Sequence, residues 1–153
     1  MTAALKDLPI KVAGGEQDCN LSNWRRMAAL PAFDILQPDI LYVGGLTRAL
    51  RVAELARRAD LPCTPHAANL GLVTVFTLHM MGAIENAGPY VEFSIEEEDY
   101  YPWQYGIYDP FPIAEDGKVQ IPEEPGWGIE VRPEWLAKAN YQISEISHSP
   151  VQN

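Results

Sequence analysis

Four ionisable side chains lie on, or just after, four short apolar runs in the first hundred residues. They are Glu16, Asp39, His66 and Glu92. An imidazole can move protons near neutral pH, and carboxylate oxygens are ligands for hard divalent metal ions. If the four runs are parallel strands, their carboxyl ends open on one face, where these side chains would converge. The spacing then predicts a site for proton transfer assisted by a metal ion.

Each of these residues also fits a purely structural role. A glutamate after a Gly-Gly pair, such as Glu16, is commonly a solvated loop residue, and an aspartate after proline, such as Asp39, is a frequent turn former or helix cap. His66 could be a packing residue, and Glu92 lies close to the acidic run at 96–99. The residue pattern alone leaves the structural and the functional interpretations open.

The elements that must position these residues alternate between strand-like runs and helical segments. The runs are 8–15, 33–40, 61–68 and 89–95, and the helical segments between them are about 22–30, 46–59 and 70–86, with Ser22 as the expected cap of the first. This alternation is typical of βα units on a parallel sheet with right-handed crossovers. The predicted fold class is α/β, either a doubly wound sheet or a partial (β/α) barrel of about four units.

The character of the chain changes after its first hundred residues. Residues 100–153 are rich in proline, glycine and aromatic side chains, and we expect them to pack as an irregular extension of the domain formed by 1–99. Asp116 and Gly117 predict a tight hairpin within this extension. Pro133 predicts the start of a terminal helix.

Composition argues against several classes of function. The chain has 11 Lys and Arg residues against 21 Asp and Glu, a formal net charge of -10, and an acidic surface is unsuited to a nucleic-acid backbone. No uncharged apolar run reaches the ~18 residues of a membrane span, and the amino terminus lacks the features of a secretory signal. Cys19 and Cys63 match no disulfide or metal-finger spacing. We expect a cytoplasmic setting, with both thiols packed inside and His79 in a structural role.

Several motifs, taken together, resemble one known family. They are GGE at 14–16, PD followed by GG within 38–45, PH at 65–66 and the glutamate at 92. From Pro9 to Leu136 the sequence resembles the C-terminal part of the mandelate racemase and muconate lactonizing enzyme branch of the enolase superfamily. The resemblance implies the second half of a TIM-type (β/α) barrel, with no counterpart here for the family's capping domain and first four barrel strands.

The resemblance also implies a role for each of the four residues. Glu16 would be a carboxylate ligand of Mg²⁺, and Asp39 and His66 would form a dyad in which the imidazole moves the proton. Glu92 would donate a hydrogen bond to an enediolate, which requires its carboxyl group to be protonated. Because two of the family's three metal carboxylates have no counterpart, the Mg²⁺ site is expected to be incomplete and the chain alone to be inactive.

The implied reaction removes the proton alpha to a carboxylate through a metal-stabilised enediolate. We expect an acid-sugar dehydratase that acts on a small carboxylate substrate. The alternatives are a racemase or epimerase of the same family, or a non-catalytic half-barrel that self-associates or binds a complementary chain. Because a half-barrel leaves two open sheet edges, a homo-oligomer or association with a complementary half is expected.

Overall fold

The computed structural model describes residues 5, 7–30, 32–67, 70–96, 99–100, 102 and 104–143. Its helices are α1 Leu21–Ala29, α2 Leu46–Arg58, α3 Leu72–Ala83 and α4 Pro133–Leu136. Its strands are β1 Ala13–Gly14, β2 Ile35–Leu36, β3 Tyr108–Asp109, β4 Ala114–Glu115, β5 Lys118–Val119 and β6 Glu130–Val131. Within this described part of the chain, no helix has the length and apolar character that crossing a membrane requires.

Four segments of the chain lie side by side in parallel. β1 pairs with β2, and single parallel bridges then join Leu36 to Cys63 and Cys63 to Ala87. The helices α1, α2 and α3 connect successive segments, as crossovers between parallel strands require. The prediction of an α/β fold is therefore confirmed.

The fourth parallel segment differs from the prediction. Its bridge lies at Ala87, ahead of the predicted run 89–95, and residues 91–96 form no ladder. Pro89 has no N–H group to donate, which interrupts a ladder at this point. The bridge is followed by Gly88, where a Cβ atom would overlap the side chain of Thr64. The backbone at 87–88 therefore lies close to that at 63–64, and this approach ends where the predicted strand 89–95 begins.

The core lies between the parallel segments and the three long helices. Its fully buried members include Trp24, Leu36, Val52, Ala56 and Cys63. Each large apolar side chain removed from water stabilises the fold by about 1.5–3 kcal/mol. The inner face of α2 is apolar, with Ala49, Val52, Ala53 and Ala56 buried, whereas Leu50 is 41% exposed.

The helix ends depart from the predicted ones at two places. The side-chain oxygen of Asn20 accepts a hydrogen bond from the Ser22 N–H and caps α1. The prediction of Ser22 as the cap is wrong, since Asn is at least as good a cap and comes first in the chain. The terminal helix that begins at Pro133 ends already at Leu136, because a short helix without a packed face is marginal in water. Residues 144–153 lie outside the described residues.

The residues after 104 form two antiparallel pairs, and Trp127 of this extension contacts α3. β4 and β5 make the predicted hairpin, in which Asp116 and Gly117 have positive φ angles of 49° and 72°. β3 pairs with β6. The Trp127 ring lies 4.5 Å from the Phe76 ring between centroids, and the Trp127 carbonyl accepts a hydrogen bond from His79 Nε2 at 3.0 Å. His79 thus makes a structural contact between α3 and the extension.

Candidate active site

Asp39 lies just beyond β2 and is only 5% exposed. Its Oδ1 atom accepts hydrogen bonds from the N–H groups of Leu41 at 2.7 Å and Tyr42 at 3.0 Å. This oxygen therefore shapes the turn that leads to α2, a common role of short carboxylate side chains. The second oxygen, Oδ2, is left for a different partner.

His66 is the neighbour of Asp39 in the parallel array. The two residues form a parallel bridge, and the His66 N–H donates to the Pro38 carbonyl at 3.0 Å. His66 Nδ1 lies 2.9 Å from Asp39 Oδ2. Since a carboxylate only accepts hydrogen bonds, Nδ1 carries the proton, and Nε2 of a neutral imidazole keeps its lone pair. The His66 side chain is 23% exposed, so part of the imidazole is accessible to a bound molecule.

Glu92 brings a second carboxylate to the same imidazole. Its Oε2 atom lies 3.6 Å from His66 Nε2 and accepts the Ala67 N–H at 3.2 Å. Its Oε1 atom accepts a hydrogen bond from Gln37 Nε2 at 3.0 Å. The structure thus brings together Asp39, His66 and Glu92, three of the four residues predicted from the sequence.

Gln37 also belongs to this group, although it is not among the residues predicted from the sequence. A signal for it exists, because Gln37 lies two residues before Asp39 and alternate residues of an extended segment share a face. A polar side chain at this spacing ahead of a candidate aspartate is therefore a candidate for the same site.

A groove of about 490 Å³ borders the imidazole. It is lined by His66, Ala67 and residues 92–96, which include the carboxylates of Glu92 and Glu96. The groove is open to solvent and polar at the imidazole end. It can therefore admit a small polar molecule next to Nε2.

Glu16 lines a different groove. It follows Gly15, whose φ angle is 108° and where a Cβ atom would lie 2.5 Å from the Trp24 ring, so this turn requires glycine. The groove at Glu16, of about 470 Å³, also includes Asp18 and Asn20. Among the described residues, no group of three or more His, Cys, Asp or Glu side chains could hold a metal ion. Because Mg²⁺ needs a near-octahedral set of oxygens, one carboxylate does not make a complete site.

The pKa values of Cys63 and Glu54, two groups outside the dyad, are strongly shifted. Burial raises the pKa of the Cys63 thiol to about 12, so this thiol is packed and unreactive, as predicted. Side-chain hydrogen bonds from Arg57 and Arg58 lower the pKa of Glu54 to about 2. Cys19 is exposed, and the prediction that it packs inside is wrong because it lies in a polar turn ahead of α1.

Two buried side chains of the extension make hydrogen bonds to the backbone of Leu70. Gln104 and Tyr108 are each 1% exposed. Gln104 Oε1 accepts the Leu70 N–H, and the Tyr108 hydroxyl donates to the Leu70 carbonyl at 2.8 Å. Burial also raises the pKa of the Tyr108 phenol. The extension therefore holds the backbone of Leu70, two residues before α3 begins.

Comparison with protein families assigns the chain to a known family. The family model for an enolase C-terminal domain-like fold matches residues 1–135. The chain belongs to the enolase C-terminal domain-like family. The predicted resemblance to the mandelate racemase branch of the enolase superfamily is therefore confirmed, and Mg²⁺-dependent dehydratases and racemases are typical of it.

The curated relatives of this enolase-type domain include sugar-acid dehydratases. L-galactonate dehydratase of Hypocrea jecorina is 29% identical over 138 residues, which cover 90% of this chain and 30% of that protein. The chain spans about a third of the length of the curated relatives it matches. The similarity thus concerns one part of the whole enzymes.

Solved structures of the enolase superfamily have the same fold over this region. A protein from Roseobacter denitrificans, assigned as a racemase, has a TM-score of 0.84 and 57% identity, covering 93% of this chain and 39% of that one. L-talarate dehydratase from Polaromonas sp. JS666, complexed with Mg and L-glucarate, has a TM-score of 0.70 and 26% identity, covering 89% and 34%. A dehydratase and a protein assigned as a racemase are therefore both among the solved structures similar to this chain.

Proposed function

We propose that this chain carries the proton-transfer part of a sugar-acid dehydratase active site. The observation that supports this best is the contact of Asp39, His66 and Glu92, in which one imidazole nitrogen is bonded to a buried carboxylate and the other faces a groove. Family membership and the similarity to L-galactonate dehydratase support the reaction class. The reaction removes the proton alpha to the substrate carboxylate and expels the β-hydroxyl group, which gives a 2-keto acid after tautomerisation.

In this proposal, His66 is the general base. Nε2 takes the alpha proton, while Asp39 holds the other proton on Nδ1 and stabilises the resulting imidazolium. The imidazolium can then give the proton to the departing β-hydroxyl group, which leaves as water. One C–H and one C–O bond break and a C=C bond forms, so the balance requires no redox partner.

Glu92 is proposed to bind the negative charge that develops on the substrate. Both of its oxygens accept hydrogen bonds, from Gln37 and from the Ala67 N–H. Donation to a substrate oxyanion therefore requires that Glu92 acquire a proton when the substrate is bound. The 3.6 Å separation from His66 Nε2 places this carboxylate beside the reacting proton.

Glu16 is the one described residue that we assign as a ligand of Mg²⁺. L-talarate dehydratase was solved with Mg, and Glu16 would supply one oxygen ligand. The described residues do not fit the ion by themselves, because they form no metal-binding cluster. Further ligands would have to come from another segment or chain.

The proposed setting is the second half of a TIM-type barrel with about four βα units. The remaining part would be supplied by a further segment, by a complementary chain or by a second copy of this chain. Large apolar side chains at the surface support such an association, since Leu41, Tyr90 and Ile95 are 63%, 81% and 88% exposed. Covering them would remove apolar area from water.

A racemase or epimerase of the same family is the second candidate. The 57% identity to the Roseobacter denitrificans protein favours it. Such an enzyme would use the same proton removal at His66 but return a proton to the opposite face from a different base. A non-catalytic half-barrel that self-associates is the third candidate, and the exposed apolar side chains favour it.

The test is an assay of the chain expressed with any coding sequence that precedes it. Aldonic and aldaric acids are screened with Mg²⁺ for 2-keto acids and for stereochemical inversion. We expect His66→Asn to lower kcat by about 10²–10⁴-fold. His79→Asn, at the histidine that contacts Trp127, is the matched control and should retain activity.

Each outcome of the assay separates the candidates. Inversion without keto acid supports the racemase. Inactivity of the folded, assembled protein on every acid supports the non-catalytic half-barrel. Full activity of His66→Asn on a confirmed substrate refutes the role given to the dyad.

A further inference from the structure

We propose that Gln37 is a positioning residue that holds the Glu92 carboxylate against His66. The inference rests on the proposed function, in which Glu92 acts beside the imidazole. It adds a residue to that site and assigns it a task separate from contact with the substrate.

Glu92 needs such a support because its own surroundings are loose. It lies in residues 91–96, which form no ladder, and its side chain is 41% exposed. Fixing a long, flexible side chain in one rotamer costs conformational entropy. The Ala67 N–H holds only Oε2, and a carboxylate held at one oxygen can still pivot. The Gln37 amide holds Oε1 at 3.0 Å and so fixes the plane of the group.

Gln37 is itself well anchored. Its backbone N–H donates to the Gly14 carbonyl at 3.0 Å, which ties it to β1. The next residue, Pro38, is fully buried and accepts the His66 N–H. The side-chain amide is thus presented by the parallel array, and it reaches the segment of Glu92 from there.

This placement ties both carboxylates beside the imidazole to one strand segment. Asp39 contacts His66 Nδ1 directly, and Gln37, two residues earlier, holds the carboxylate next to Nε2. The further charged group that lines the groove at His66 is Glu96. Loss of the Gln37 amide should therefore change the surroundings of Nε2 and leave those of Nδ1 intact.

The first experiment is ¹⁵N NMR of the histidine side chains in the 153-residue chain. We expect Gln37→Leu to move the His66 Nε2 resonance in the same direction as Glu92→Gln does, with the Nδ1 resonance nearly unchanged. In the double variant, which carries both Gln37→Leu and Glu92→Gln, the His66 Nε2 resonance should move no further than in Glu92→Gln alone. Gln120→Leu, at an exposed glutamine after β5, is the matched control and should cause no change.

Two results would overturn the inference. One is an unchanged Nε2 resonance in a folded Gln37→Leu chain, and the other is a further shift in the double variant equal to that of the single change. If Gln37→Leu does not fold, Gln37→Met, which keeps the unbranched shape without the amide, takes its place in both comparisons.

The second experiment separates this inference from the proposed function. In the assembled enzyme, Gln37→Leu should lower kcat by up to about 10²-fold, the size of a small misplacement of a catalytic group, with little change in KM. If Gln37→Leu causes no further shift of the Nε2 resonance in the presence of Glu92→Gln but the protein is inactive, the dehydratase function is refuted and Gln37 remains the support of Glu92. If Gln37→Leu keeps full activity and its effect on the His66 Nε2 resonance is independent of Glu92→Gln, the role of Gln37 is refuted and the proposed function is not.

Discussion

Replacing Asp39 by Asn tests whether this carboxylate sets the tautomer of His66. In Asp39→Asn, the amide oxygen can keep the hydrogen bonds from Leu41 and Tyr42, and the NH₂ group then takes the place of Oδ2. The group 2.9 Å from His66 Nδ1 becomes a donor. His66 must then accept at Nδ1 and carry its proton on Nε2. The lone pair that would act as the base is lost, although the fold remains.

The hydrogen bonds of Asp39 give the expected changes in stability. In Asp39→Asn a charge-assisted bond worth about 1.5–3 kcal/mol is replaced by a neutral one worth about 0.5–1.5 kcal/mol, so the free energy of unfolding should fall by about 1 kcal/mol. Asp39→Ala removes all three bonds. Since Leu41 and Tyr42 are 63% and 60% exposed, water replaces part of the loss, and we expect a decrease of about 2–3 kcal/mol.

Two measurements check this reasoning. Urea unfolding of the chain gives both changes in stability, and ¹⁵N NMR identifies which imidazole nitrogen carries the proton. In the assembled enzyme, kcat of Asp39→Asn should fall by about 10²–10⁴-fold, the usual contribution of a general base. An Nδ1–H tautomer in Asp39→Asn would refute the reasoning, and so would equal stabilities of the Asn and Ala variants.

Three other changes have defined outcomes. At pH 8 the exposed Cys19 should react quickly with Ellman's reagent, while Cys63 should react only after denaturation, since burial raises its pKa to about 12. Tyr108→Phe should lower the free energy of unfolding, measured in urea, by about 1–3 kcal/mol, because the Leu70 carbonyl loses its buried donor. The folded-state pKa of Glu54 is lowered to about 2, so its stabilisation is present above its usual value of 4.5 and is lost as the pH falls toward 2. Thermal melting of Glu54→Gln should therefore differ from that of the parent chain at pH 7 and converge with it near pH 2.

Each of these outcomes has its own control. Two rapidly reacting thiols in the native chain would contradict the burial of Cys63, and Cys19→Ser should remove the rapid phase. Tyr105→Phe, at a tyrosine whose hydroxyl donates in an exposed position, should cost less than Tyr108→Phe. A difference between the parent and Glu54→Gln that stays constant from pH 7 to pH 2 would contradict the ion-pair origin of the shift.

The main helices and the hairpin could be predicted because their signals are local. The apolar spacing of α2 and the Asp116–Gly117 pair each determine an element within a few residues of themselves. The fourth parallel segment could not be located by such signals, because its bridge at Ala87 depends on the close approach to Cys63 and on Pro89. The helix α4 is short because it has no buried face. The sequence after Pro133 carries no local signal for this absence of packing.

The candidate site was predictable where topology decides it. Asp39 and His66 follow neighbouring parallel segments, so their meeting follows from the order of the strands. Gln37 was missed because its partner Glu92 is 55 residues away in the sequence and the contact is made by the two side chains, not by backbone pairing. The placement of Glu16 in a separate groove depends on the turn at Gly15, where the Trp24 ring excludes a Cβ. The catalytic roles of all these residues stay predictions.

The hydrogen bonds from the extension to Leu70 set an order of events during synthesis. Tyr108 is 38 residues beyond Leu70 and Gln104 is 34 beyond it. At about 5–20 residues per second, Tyr108 is made about 2–8 s after Leu70. Until then Leu70 cannot have both bonds, whatever the state of the parallel array. The hydrogen bonding of the backbone just ahead of α3 is therefore completed late, and a ribosome that pauses before Tyr108 holds a nascent chain in which it is unfinished.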